Sequence, residues 1–214
     1  MTRLKLPLLV LAFSATMFNS CDSYEYNEDR WDDFAEEVNT ALDDNSHTED
    51  IETAKDIESI TSEVGNPAIS IDSRTALIPQ QIPPEMYLSL DEAAMHQSTH
   101  EDANGILVVT VNANRIKEEY TYDAGAALSA ALGVLESTPG LSNIEMSEIE
   151  EFELSGYKGK FRNGSVYFGN QEMNFEIFAV GKDKVSWQLF IQYSEGRKAE
   201  ALAILNSARI AHSE

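Results

Sequence analysis

The chain has 214 residues, 43% of them hydrophobic, and sets 37 acidic side chains against 15 basic ones for a formal charge of −22 at pH 7. That is enough apolar material for one buried core. Clustered positive charge is too scarce to displace counterions from a nucleic-acid backbone or to hold an anionic lipid surface through a basic face. The single cysteine closes no internal disulfide and supplies no Cys-rich zinc or iron–sulfur site.

Residues 1–20 read as a signal peptide. Arg3 and Lys5 form a basic n-region, and Leu6 to Phe13 form an apolar run too short to span a bilayer. The cysteine follows directly, in Phe18-Asn19-Ser20-Cys21. This segment resembles the lipobox of bacterial lipoprotein precursors, in which the cysteine is acylated and becomes the new amino terminus. It departs from that pattern at Phe18 and Asn19 and conforms at Ser20. The resemblance implies a lipid anchor at Cys21, each buried methylene contributing about 0.8 kcal/mol to membrane attachment. Ordinary cleavage near Ser20, leaving a free exported thiol, is the alternative.

Residues 21–64 read as an acidic tether, since 16 acidic and two basic residues lie between Asp22 and Val64. Trp31, Phe34, Ala35, Val38 and Leu42 fall at helical spacing, and Ile51, Ala54, Ile57, Ile60 and Val64 repeat the pattern more weakly. Two readings stay open: a self-repelling solvated spacer, or a helix that docks on the domain or on a partner through Trp31 and Phe34.

From Gly65 to the C terminus the texture is that of one domain. Ala68 to Asp72 reads as a short strand, followed by a proline-rich loop at Pro79, Pro83 and Pro84. Met86 to His100 is ambiguous between a helix opened by the Ser89-Leu90-Asp91-Glu92 capping box and an edge strand. Ile106 to Val111 reads as a buried strand after an Asn104-Gly105 turn. Ala124 to Leu135 is an uncharged helix opened near Asp123 and closed by Pro139-Gly140; Leu128 and Leu132 on it are candidate partner contacts or core. Phe152 to Arg162 leads into an Asn163-Gly164 hairpin signal. Met173 to Ala179 and Val185 to Tyr193 alternate around a turn at residues 181–184, a pattern that predicts one buried and one wet face. Arg197 to Ala208 closes the domain as a helix with Ala201, Leu202, Leu205 and Ala208 inward.

The elements predict an α+β fold, an antiparallel sheet of about five to seven strands packed with a central apolar helix and a C-terminal helix. From about residue 66 to 211 their order resembles the PsbP-like fold, including DcrB-type envelope lipoproteins. The residues that carry this are Gly156-Tyr157-Lys158-Gly159, Val185-Ser186-Trp187-Gln188-Leu189 and Ile204-Leu205-Asn206-Ser207-Ala208. The resemblance implies a sandwich that binds or supports other proteins, and it transfers no site residues.

Signatures of chemistry are sparse. No phosphate loop, Gly-x-Ser-x-Gly elbow or His-Glu-x-x-His pair occurs. Glu92, His96 and His100 at four-residue spacing would share one helix face and suit Zn²⁺; Asp43 to Asp50 is acidic but lacks the glycine and register of a calcium loop. Glu148, Glu150, Glu151 and Glu153 read as the wet side of a strand. Tyr120, Tyr122, Tyr157, Tyr167 and Trp187 are pocket or core candidates. The reading is a lipid-anchored, non-catalytic accessory module of the bacterial envelope, without cofactor or nucleic-acid partner, engaging the membrane through Cys21 and an envelope protein through its surface. A small-ligand or metal-binding module is the alternative, and a hydrolase ranks third.

Overall fold

Alternating apolar residues cut by short turns fold the chain mostly into antiparallel strands in the computed structural model, which describes residues 59–82, 87–137, 140–169 and 171–211. In chain order these are β1 (Ile60–Val64), β2 (Ile69–Ser73), β3 (Ile78–Pro79), β4 (Leu90–Asp102), β5 (Gly105–Ile116), α1 (Ala124–Ser137), β6 (Leu141–Met146) and β7 (Glu150–Leu154). There follow β8 (Tyr157–Phe168), β9 (Gln171–Lys182), β10 (Val185–Tyr193), a 3-10 turn (Glu195–Arg197), α2 (Lys198–Ser207) and β11 (Arg209–Ile210). The main sheet runs β3-β4-β5-β10-β9-β8-β6, with β7 also on β8, and a second sheet runs β1-β2-β11. The fold is therefore α+β, as the sequence predicts, but with eight strands in the main sheet and a second sheet that periodicity did not announce.

That second sheet moves the start of the domain. Ile60 to Val64, counted above with the tether at helical spacing, pair as a strand with β2 from Ile60↔Ser73 to Val64↔Ile69. Likewise residues 90–102 are a strand, paired with β5 from Leu90↔Ile116 to Asp102↔Gly105 with a register shift between Leu90 and Glu92, and the capping-box signal at Ser89 is unused.

Both faces of the main sheet are covered, which corrects the expectation of a wet face. On one side Val109, Val111, Phe178, Val180, Trp187, Leu189 and Ile191 pack against Ile69 and Ile71 of the second sheet and Ala201 and Ile204 of α2. On the other, Phe175, Ile177 and Phe190 pack against Ala127, Leu128, Ala131, Leu132 and Leu135 of α1. β10 is buried on both faces from Ser186 to Tyr193. Each large apolar side chain so buried contributes about 1.5–3 kcal/mol. On α2 it is Ile204 that is buried, while Leu202 is only half-buried. α1 opens as predicted, with Asp123 Oδ1 accepting from the Ala126 N–H at 2.7 Å.

The predicted hairpin at Asn163-Gly164 does not form; β8 runs straight through it. The turn lies at Ser155 (φ 53°) and Gly156 (φ 82°), between the Leu154↔Tyr157 pair, as a two-residue turn with positive φ at both positions. Gly164 serves proximity instead: a Cβ there would run into the Glu145 carbonyl oxygen of β6 and the Phe175 ring.

Candidate functional site

β5 begins as an apolar run and then places Asn112 and Asn114 at alternate positions, while β10 places Ser186 and Gln188 between Val185, Trp187 and Leu189. Register sets Asn112 opposite Gln188 and Asn114 opposite Ser186. Alternation puts all four on the face that also carries Phe190. α1 packs on β6, β8 and β9, so this polar row lies over β5 and β10 at its flank. The neighbours on the adjoining strands are Ala93 and Met95 of β4, and Ala179 and Gly181 of β9. Most of them are small, and none is charged.

The row is incompletely satisfied. Asn112 Nδ2 donates to Gln188 Oε1 at 3.5 Å, a long contact. Asn112 Oδ1, Asn114 Oδ1, Gln188 Nε2 and the Tyr122 hydroxyl are buried with no hydrogen-bond partner among the described residues. Asn112 and Gln188 are each 2% exposed. The Tyr122 ring lies against Gly181, where a Cβ would overlap it. Burial, and secondarily the charge of Asp123, push its phenol pKa well above the ordinary value, so the hydroxyl stays neutral. Gln97 and Thr110 close the next rung, Gln97 Nε2 donating to Thr110 Oγ1 at 3.1 Å.

Two polar clusters lie elsewhere. Buried Arg197 reaches Asp102 Oδ1 at 2.5 Å and Glu200 Oε2 at 2.6 Å, joining the β4–β5 turn to α2. The Asn104 N–H, then His100 and Arg197, hold the Asp102 carboxyl below its usual range. On the α2 side of β9, Glu176 accepts from the Tyr193 hydroxyl at 3.0 Å. Burial pushes its carboxyl up to about 7, against the opposing pull of that hydrogen bond and of Lys198. A shallow cleft of roughly 210 Å³ runs between the β1–β2 turn and β4, β5 and β10, lined by Pro67, Glu92, Arg115 and Trp187 among others.

The sequence-predicted residues are scattered. Glu92, His96 and His100 share one face of β4, but four residues along a strand span roughly 13 Å, so the three do not converge as they would on a helix. Glu92 pairs with Arg115 at 3.4 Å and His100 with Asp102 at 3.3 Å, while His96 is half-buried beside β3. Among the described residues no group of three His, Cys, Asp or Glu is placed to hold a metal ion. Leu128 and Leu132 are buried in the α1 cluster. Cys21, Trp31 and Phe34, and the acidic run at Asp43 to Asp50, lie outside the described residues.

Glu151 and Glu153 form the wet edge of β7, Glu151 pairing with Lys160, while Glu150 points inward beside Phe152 and adds its charge to that felt by Glu176. The tyrosines and Trp187 do not share a pocket. Trp187 is core, its Nε1 donating to the Pro67 carbonyl at 2.9 Å with Tyr157 edge-on against it, and Tyr167 is held near Glu172. The carboxamide row itself was missed. Its signal in the sequence was a set of amide residues inside strands otherwise apolar, which alternation alone reads as a wet face.

No protein-family model matches the chain, and no curated protein does. Among solved structures the chain is similar to LpqN, described as involved in cell envelope biogenesis of Mycobacterium tuberculosis. The identity is 12%, with 75% of this chain and 88% of that chain covered and a TM-score of 0.43.

Proposed function

We propose that this chain is a lipid-anchored, non-catalytic accessory module of the bacterial cell envelope, with a domain of PsbP-like type held at the membrane by Cys21 through an acidic tether. The observation that carries it is the sequence Phe18-Asn19-Ser20-Cys21 directly after a short apolar run. A lipid anchor suits a domain in which no described helix is long and apolar enough to cross a membrane. Small-ligand binding is the second reading, favoured by a buried row of three carboxamides and a phenol, groups that bind through hydrogen bonds and keep their protons near neutral pH.

The anchor is tested by expressing the chain and its Cys21→Ser variant in a bacterial host and separating membranes from soluble protein. The wild-type chain stays with the membranes, and mass spectrometry of its mature amino terminus shows an acylated cysteine. The variant moves to the soluble fraction. A variant that stays fully membrane-bound overturns the proposal.

A further inference from the structure

The face of the main sheet that meets the second sheet changes character at one end. Along β5 and β10 its inner rows are built from Val109, Val111, Leu189 and Ile191, but the next row sets Ala94 beside Ala113 and Ala113 beside Trp187. The outermost row sets Glu92 beside Arg115 and Arg115 beside Val185. Two methyl groups where leucine or valine would otherwise pack leave a floor below its surroundings, and the β1–β2 turn walls it on one side. That turn is held in place. Trp187 Nε1 donates to the Pro67 carbonyl at 2.9 Å, and Gly65 lies so close to Ala113 that a Cβ would overlap it. The result is the cleft of roughly 210 Å³ described above.

The cleft is smaller than the roughly 300–1,000 Å³ of pockets for drug-sized ligands, so what it takes is small. Its inner wall is apolar, formed by Pro67, Val185, Ala94, Ala113 and the buried Trp187. Its mouth carries one charge of each sign. Arg115 Nε donates to Glu92 Oε2 at 3.4 Å, and these side chains are 42% and 69% exposed. That single contact leaves the two terminal nitrogens of the guanidinium, and Glu92 Oε1, without a partner among the described residues. A guanidinium donates to a carboxylate through two parallel bonds, and a carboxylate accepts from an ammonium. A ligand with only a negative charge would be repelled by Glu92 and by a chain of net charge −22, and one with only a positive charge by Arg115. A zwitterion is attracted by both.

We infer that this cleft binds a small zwitterion with an apolar side chain, the chemistry of a free aliphatic α-amino acid. The ligand's carboxylate accepts from the terminal nitrogens of Arg115, its ammonium donates to Glu92, and its side chain lies over Ala94 and Ala113 against Pro67 and Val185. The inference rests on the small-ligand reading but uses a site apart from Asn112 and Gln188, whose side chains face the other side of the sheet. It does not depend on the lipid anchor.

The test is isothermal titration calorimetry on the whole chain in mild detergent, with L-leucine, glycine, N-acetyl-leucine and leucinamide as probes. Saturable one-to-one binding of L-leucine is expected. N-acetyl-leucine lacks the positive charge, leucinamide the negative one and glycine the side chain. Each should bind at least about tenfold more weakly, the worth of one charge-assisted bond or one buried side chain. In Arg115→Gln the Kd of L-leucine should rise by about tenfold or more. In Ala94→Leu, which fills the floor, binding should be lost. Arg115→Gln changes an exposed side chain and should melt with the parent, and that control separates lost binding from lost fold. No saturable heat with L-leucine overturns the inference, as does any other probe binding as tightly as L-leucine. Binding of L-leucine that survives unchanged in both variants keeps the small-ligand reading and overturns this site. All of these results leave the membrane anchor standing, just as failure of Cys21→Ser to release the chain would leave the cleft standing.

Discussion

Glu176 makes the stability of the domain depend on pH in a direction opposite to that of most carboxylates. Burial raises its carboxyl from 4.5 to about 7, so the fold prefers the protonated acid, which the unfolded chain releases near 4.5. The stabilisation is complete below the unfolded value and is lost as pH rises through the folded one. A gap of about 2.5 units at 1.36 kcal/mol each corresponds to about 3 kcal/mol, lost mainly between pH 5 and 7. His96 works in the other sense: burial lowers its pKa from 6.5, so it withdraws stability as pH falls below that value. Comparing two chains cancels its contribution. Urea unfolding of the wild-type chain and Glu176→Gln, each at pH 5, 6, 7 and 8, should show the variant gaining about 3 kcal/mol relative to wild type between pH 5 and 8. Tyr193→Phe removes the hydrogen bond that holds the Glu176 pKa down and should move the wild-type transition to higher pH. If the wild-type and Glu176→Gln stability curves run parallel across this range, Glu176 is not carrying a raised pKa.

Two glycines provide opposite outcomes for the same change. Gly133 lies inside α1 with nothing near the position of a Cβ, so Gly133→Ala should stabilise by about 0.5–1 kcal/mol, whereas Gly164→Ala should destabilise by at least about 2 kcal/mol because it drives a methyl into the Glu145 carbonyl; thermal melts of both variants check this. Arg197→Met should cost about 3 kcal/mol, the lower end for a broken buried ion pair, because Arg74 remains 3.5 Å from Glu200. The double variant Arg197→Met, Glu200→Leu should lose less than the single one in urea unfolding, since it no longer holds a largely buried carboxylate on Arg74 alone, whose own exposed guanidinium stays hydrated.

Where one local force dominates, the sequence already describes the fold. Asp123 caps α1, Asp183 turns β9 into β10 with φ 54°, and Ala201 faces the core from α2. The misreadings come from residues whose role is set by a distant neighbour. Asn163-Gly164 carries the composition of a hairpin turn, but the glycine is required because β6 and Phe175 approach it, and both lie far from it in sequence or across a strand pair. Ile60 and Val64 fit a helical period and a strand period alike, and only pairing with β2 decides between them. The four-residue spacing of Glu92, His96 and His100 suggests a shared ligand set on a helix and means three separate positions on a strand.

The carboxamide row was hidden for a related reason. Periodicity asks whether a polar residue alternates with apolar ones, and Asn112, Asn114, Ser186 and Gln188 all do, so each in isolation is assigned to water. They are buried only when two strands, with Asn112 and Gln188 76 residues apart, are set side by side with their polar positions in register and the Tyr122 ring lies over Gly181. Polar atoms placed this way reduce stability wherever they lack partners, and sequences retain such local conflicts mainly where binding or chemistry uses them. Elsewhere in the main sheet Gln97 pairs with Thr110 and Glu176 with Tyr193. The same fold therefore satisfies its polar residues in one place and leaves them open in another. That contrast runs along one face of β5 and β10, which also buries Thr110 and Gln192.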